Sequence, residues 1–292
     1  MDVFLPATLE EALETAAAYP EVVPIAGGTD VMVELNMDLR RPESLMDVSR
    51  LPELAEIRRE KGSVFLGAGV TYTRIMRELP ELTALVQASR SVGSPQIRNR
   101  GTVGGNLGTA SPAGDALPVL AAWDAEVVLG RAGGSRRSVA WDAFLTGVKQ
   151  TSREPGELIL GARWSVPEGP GSFSKIGTRN AMVIAVASVC LQLDEPRRSV
   201  RVAIGSVAPT VVRVHEAETL AAQAFQDAGL WEDPRAELAP DAAERFGGAV
   251  ADAATPIDDV RGTAAYRRHA VSVLARRALA WALDDRRAGE AA

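Results

Sequence analysis

Two stretches of this 292-residue chain put glycine where chemistry would need bare backbone. One is PIAGGTDVM, residues 24–32. The other, IRNRGTVGGNLGTASPAGD, runs from Ile97 to Asp115 and holds five glycines. Glycine lets backbone N–H groups approach a ligand with no Cβ in the way. Successive N–H groups in a tight turn form a nest for anionic oxygens. A helix beginning at Thr29 or Thr102 would add its own free N–H groups and dipole. Thr29, Thr102 and Asn106 could supply further donors. Two such nests brought together suit a pyrophosphate. The plainer alternative is that both stretches are structural turns.

Other chemistries find little support. Gly133-Gly134 lies between two strand-like runs and reads as a hairpin tip. FLGAGVTYTRI begins like a G-x-G-x-x-G fingerprint, but Tyr72 takes the third glycine position and no acidic residue closes a second strand. The chain has no G-x-x-x-x-G-K-[ST] and no G-x-S-x-G. Cys190 is the only cysteine and sits in an apolar run, so it reads as a small buried hydrophobe. With only His215 and His269 besides, no zinc or iron–sulfur spacing is present. A formal charge of −6 and scattered arginine pairs argue against nucleic acid as a partner. No apolar run approaches the roughly 18 residues of a membrane span, so membrane insertion is not expected. The first residues lack a basic-then-apolar signal pattern, and a cytoplasmic protein is expected.

The elements that must hold the glycines follow from pattern. Thr8 and Glu11 fit a capping box ahead of a first helix. EVVPIAG reads as a short buried strand ending at Gly27, and Thr29 or Asp30 is placed to cap a turn of helix after it. Strand signals recur at 44–49, 63–69, 125–130, 136–141 and 157–166, with helical stretches at 72–79, 80–90 and 115–122. VPEGPGSFSK, 166–175, reads as a boundary. Beyond it come the strands FSKIGT, VASVCLQLD and SVRVAIGSV, then helices at 216–225, 239–252 and 263–286. The final RRAGEAA is expected to fray. Such irregular alternation indicates an α+β fold in two domains.

The combination of AGGTD, IRNRGTVGGNLGTASPAGDALPVLAAWDAEVVL, SFSKIGTRNAM and DDVRGTAAYRRHAVSVLARRAL resembles the FAD-binding middle subunits of molybdenum hydroxylases. These are relatives of the flavin domain of xanthine dehydrogenase and of the carbon monoxide dehydrogenase flavoprotein. The likeness covers most of the chain and keeps the order of elements.

The resemblance implies a two-part α+β FAD-binding domain of the vanillyl-alcohol-oxidase/PCMH type over residues 1–170, its parts dividing near 55–60. A smaller α+β domain over 171–286 and a tail, 287–292, would follow. It implies a first pyrophosphate loop of Ile25, Ala26, Gly27, Gly28, Thr29, Asp30 and Val31. A second would comprise Gly101, Thr102, Gly104, Gly105 and Asn106. Thr109, Asp115, Leu160 and Lys175 match positions that touch FAD, with Arg179 beside the lysine. Val92 stands where some relatives place an aromatic residue over the flavin. Two of these have plainer readings: Asp115 as a helix cap and Lys175 as a solvated strand residue.

On this resemblance the chain holds FAD and has no catalytic side chain and no metal of its own. A large partner subunit would carry molybdopterin and a small one two [2Fe–2S] clusters. Electrons would pass from the clusters to FAD and on to NAD, a quinone, O2 or another acceptor. The competing expectations are a free-standing flavin oxidoreductase and a scaffold subunit that has lost FAD.

Overall fold

The computed structural model describes residues 1–289. The chain divides into two compact units that interleave in sequence. The first comprises residues 1–79, 92–111 and 124–165, the second 80–91, 112–123 and 166 onward.

The first unit holds three sheets, the smallest of them the antiparallel pair Leu145–Gly147 and Gln150–Thr151. Asp2–Phe4, Ser44–Asp47 and Val23–Ile25 form a three-stranded parallel sheet with the 44–47 strand in the middle. The helix Leu9–Ala18 connects two of these strands. The expected cap forms in part: Thr8 accepts from the Glu11 N–H at 3.2 Å, but the Glu11 carboxylate takes the Ala7 N–H, at 2.5 Å, in place of the Thr8 N–H that a full capping box would use. A five-stranded antiparallel sheet follows, ordered Ile57–Glu60, Ser63–Gly67, Leu158–Ser165, Glu126–Gly130, Arg136–Ala140. Its last two strands are joined by the expected hairpin tip. There Gly133 and Gly134 both have positive φ, which a β-carbon would resist.

The second unit is a four-stranded antiparallel meander, Gly171–Ile176, Ala187–Asp194, Ser199–Gly205 and Val212–Arg213. Every residue of Ala187–Asp194 is buried, because helices cover both faces of that strand. Ala187, Val189, Leu191 and Leu193 join one core with the helices His215–Asp227, Ala242–Asp252 and Ala264–Gly289. The alternate residues face the helices Thr83–Ser91 and Ala116–Ala122; there Trp123 Nε1 donates to Gln192 Oε1 at 3.0 Å. Cys190 lies in this strand, and burial pushes its thiol pKa up, as fits a packing residue.

The expected frayed tail is helical through Gly289. Arg286 is buried there, donating to Glu195 and to the Leu230 carbonyl at 3.0 and 2.5 Å. Residues 290–292 lie outside the described residues. The helix Pro95–Arg100 was not expected, although Ser94 followed by Pro95 is a start signal: Ser94 accepts from the Ile97 N–H at 3.4 Å.

Candidate functional site

The first glycine stretch leaves the parallel sheet at Ile25 and turns into the short helix Val31–Asn36. Gly28 has φ +72°, in the left-handed region. Asp30 stands at the helix N-cap, but its side chain makes no capping bond. Its Oδ2 accepts instead from Thr109 Oγ1 at 3.3 Å. Among the described residues, no protein group accepts from the N–H of Gly27, Gly28, Thr29, Asp30 or Val31. Five successive donors are therefore open, all on half-buried residues.

The second stretch is built differently. Gly101 leads to Thr102, which caps the glycine-rich helix Val103–Thr109 by accepting from the Gly105 N–H at 2.9 Å. The Val103 and Gly104 N–H groups donate to the carbonyls of Val70 and Ala68 at 3.3 and 3.0 Å, and that of Asn106 to Thr102 at 3.0 Å. The nest expected here is thus closed by the protein's own acceptors.

What this helix offers is a bare surface. Gly104 faces inward, where a Cβ would come within 2.4 Å of that of Ala68. Gly105 and Gly108 are exposed, three residues apart on one face. A Cβ at Gly108 would meet only Ile159 Cδ1, at 3.5 Å. Glycine inside a helix costs about 1 kcal/mol relative to alanine. Packing does not require that cost at Gly108, which sequence reasoning left unassigned. Asn106 Oδ1, in the same helix, is buried without a partner.

The two stretches meet. A Cβ on Gly27 would lie 2.0 Å from the Arg100 carbonyl oxygen and 3.0 Å from the Gly101 nitrogen. Together with the Asp30–Thr109 bond, this brings the open amides and the glycine-rich helix to one place. Ile25, Ala26 and Val31 flank it, half-buried. Val92 is half-buried too, its carbonyl accepting from Arg98 Nη1 at 3.0 Å. Leu160 is buried, and its side chain occupies the space beside Gly130. Its carbonyl takes the Ala68 N–H at 2.9 Å, so it supports the glycine-rich helix from beneath through Ala68.

The second unit holds a separate buried pair. Lys175 Nζ lies 2.5 Å from Asp115 Oδ2, with side chains only 10% and 5% exposed. The ammonium also donates to the carbonyls of Ser91 at 2.8 Å and Val183 at 3.0 Å. All three of its donors are thereby used, so it is not a solvated strand lysine. Asp115 occupies a helix N-cap position without capping. Its Oδ2 also accepts from Ser91 Oγ at 3.0 Å, while Oδ1 is buried without a partner. Burial pushes the Asp115 carboxyl pKa up, against the opposing pull of Lys175 and Ser91. Arg179 is exposed and donates to the Met182 carbonyl at 3.1 Å. Among the described residues no cluster of His, Cys, Asp and Glu could hold a metal. Nor is any helix long and apolar enough to cross a membrane.

These features define a flavoprotein of two α+β domains. Residues 1–167 match the family described as FAD binding domain in molybdopterin dehydrogenase, and 172–282 the CO dehydrogenase flavoprotein C-terminal domain. The chain belongs to this family of FAD-binding oxidoreductases of the molybdenum hydroxylase class, as its sequence resemblance implied.

It is similar to the nicotinate dehydrogenase FAD-subunit of Eubacterium barkeri, 38% identical over 63% of this chain and 65% of that one. It is also similar to the glyceraldehyde dehydrogenase medium chain of Sulfolobus acidocaldarius, 30% identical over 93% and 94%. Among solved structures, carbon monoxide dehydrogenase from Hydrogenophaga pseudoflava, in a form lacking the Mo-pyranopterin moiety, matches with a TM-score of 0.83. That match has 26% identity over 97% of this chain and 96% of that one.

The residues fit the cofactor. Five open amides answer a diphosphate, the glycine face admits close approach, and the orphaned Asn106 Oδ1 is an acceptor awaiting a donor.

Proposed function

We propose that this chain is the flavin-holding electron-relay subunit of a molybdenum hydroxylase complex. A large subunit carrying molybdopterin oxidises the substrate, and a small subunit's [2Fe–2S] clusters deliver the electrons. NAD, a quinone, O2 or another carrier takes them away. Bound FAD supplies the redox chemistry, because it exchanges electrons one or two at a time.

The chain's own residues bind and tune. The amides of Gly27–Val31 donate to the pyrophosphate, and Gly28 in the left-handed region lets successive N–H groups converge. Gly105 and Gly108 let the helix surface lie against it. Thr102 caps the glycine-rich helix and Thr109 ties it to Asp30, while Gly101 and Gly104 hold the backbone that presents its face. Lys175 and Asp115 are assigned to the flavin ring. With its three donors already used, Lys175 acts there through its charge. Val92 and Leu160 supply apolar support.

The observation that carries this reading is the run of five open amides pressed against the glycine-rich helix. Gly105→Val tests it. The variant is expected to fold, by far-UV circular dichroism, and to purify without the yellow flavin spectrum. Stoichiometric FAD in that variant would overturn the assignment. Purification of the native complex with molybdenum and iron analysis tests the relay role. A chain that carries flavin but brings neither metal with it would overturn that role.

A further inference from the structure

The final helix carries a cation that none of the above uses. Arg267 is 3% exposed, yet it lies 92 residues from Lys175 in sequence. Its Nη1 donates to two carbonyls at once, Val186 at 2.8 Å and Ser206 at 2.7 Å. Its Nη2 donates to Asp259 Oδ1 at 2.6 Å. Its Nε is buried without a partner. Burying a guanidinium costs several kcal/mol unless its geometry is well satisfied. A long apolar side chain would fill this space without that cost but could not tie two carbonyls together.

Both tied carbonyls belong to segments that reach Lys175. Val186 is three residues beyond Val183, whose carbonyl is one of the three acceptors of Lys175. The Val186 N–H also donates to Ile176, the neighbour of Lys175, at 2.8 Å. On the other arm, the Ser206 N–H donates to the Pro112 carbonyl at 2.8 Å. Pro112 is three residues before Asp115, the second acceptor. Ser206 has φ +64°, a left-handed conformation that costs a serine energy and persists only where its surroundings enforce it. Hydrogen bonds hold it on both sides, its carbonyl accepting from Arg267 and its N–H donating to Pro112.

We infer that Arg267 is a positioning residue for the Lys175–Asp115 pair, fixing through Val186 and Ser206 the two segments that bring ammonium and carboxylate together. It touches neither member. Its consequence for the cofactor rests on the assignment of that pair to the flavin ring.

The test uses the full chain and a readout independent of activity. Lys61, Lys149 and Lys175 are its only lysines, so amine acetylation followed by mass spectrometry reports each separately. In the wild type Lys175 is expected to be protected, while Lys149, its side chain 52% exposed, reacts. Arg267→Lys keeps the charge and loses the rigid fork. It is expected to raise Lys175 acetylation several-fold with Lys61 and Lys149 unchanged, under conditions where near-UV circular dichroism shows a native fold. Asp259→Asn, which loosens the guanidinium from a partly exposed side, is expected to do the same more weakly and serves if Arg267→Lys fails to fold. The midpoint potential of bound FAD is measured in parallel, with Lys175→Met as reference.

Full protection of Lys175 in both variants would overturn the inference. Unmasking of Lys175 together with a potential shifted in the direction of Lys175→Met supports it. Unmasking of Lys175 with Lys175→Met itself leaving the potential unchanged supports the positioning role and overturns the flavin assignment instead.

Discussion

Gly27 lies so close to Arg100 that the two glycine stretches share one packed backbone: an added Cβ would sit 2.0 Å from the Arg100 carbonyl oxygen. No rotamer change relieves it, because the Cβ position is fixed by its own backbone and the atom it meets is backbone too. Gly27→Ala is therefore expected to separate the stretches, costing about 1–3 kcal/mol of stability and weakening FAD binding with it. Urea unfolding and FAD titration measure the two losses. A Gly27→Ala protein with wild-type stability would show that the contact is not close in solution.

Gly108 makes the opposite demand. It is exposed on a helix, and a methyl there meets only Ile159 Cδ1, at 3.5 Å. Gly108→Ala should stabilise the FAD-free chain by up to about 1 kcal/mol, through helix propensity alone. If the bare face lies against the cofactor, the same change weakens FAD, by about tenfold for each 1.4 kcal/mol lost. Opposite signs in thermal denaturation and FAD titration distinguish a glycine kept for a ligand from one kept for packing. Stabilisation with undiminished FAD affinity would remove Gly108 from the site.

The Lys175–Asp115 pair predicts a pH-dependent loss. Removing one partner of a buried ion pair typically costs roughly 3–5 kcal/mol, because the other charge is left uncompensated. Burial raises the Asp115 pKa and Lys175 opposes that rise. In Lys175→Met the opposition is gone and the carboxyl titrates higher still. A carboxyl with a raised folded pKa contributes stability below the ordinary carboxylate range and loses it as pH rises through the raised value. The variant's deficit should therefore be larger near pH 8 than near pH 5, and Asp115→Asn in the same background should abolish the difference. Equal deficits at both pH values would mean that Asp115 does not titrate in that window.

Much of this was legible in the sequence, for a local reason. The Thr8 cap, the hairpin tip at Gly133-Gly134 and the strand Ala187–Asp194 depend on neighbours a few residues away or on a mostly apolar run; the burial of Ser188, Gln192 and Asp194 within that strand was not legible. The illegible parts depend on long-range partners. Gly27, Gly104 and Gly108 look alike in sequence. Only the positions of Arg100 and Ala68 show that the first two are required by packing. The second stretch reads as an amide nest until the carbonyls of Val70 and Ala68 close it. The helix Ala116–Ala122 follows the glycines directly, yet it packs in the second unit because it covers the outer face of the meander. Nothing about Lys175 announces burial, since its acceptors come from residues 91, 115 and 183.

Glu78 is one of the carboxylates expected to contribute to the acid side of stability. The Arg74 guanidinium grips its carboxylate with two bonds, 3.1 and 2.9 Å, and Arg77 adds a third at 2.5 Å. These bonds, Arg74's first, hold its pKa down at about 2. A depressed carboxyl contributes stability above its ordinary value and loses it as pH falls through the folded one. The contribution should thus be complete above about pH 4.5 and fade toward pH 2. The Glu78 side chain is 31% exposed, so solvent screening keeps the contribution modest. Glu78→Gln keeps the shape and removes the charge. It should lower stability at neutral pH and flatten the dependence between about pH 4.5 and 2, measured by urea unfolding at fixed ionic strength. Added salt should shrink the difference between variant and wild type, because partly exposed charges are screened. An identical acid limb in the two proteins would place the acid sensitivity on other carboxylates and leave the Arg74–Glu78 grip without a share in it.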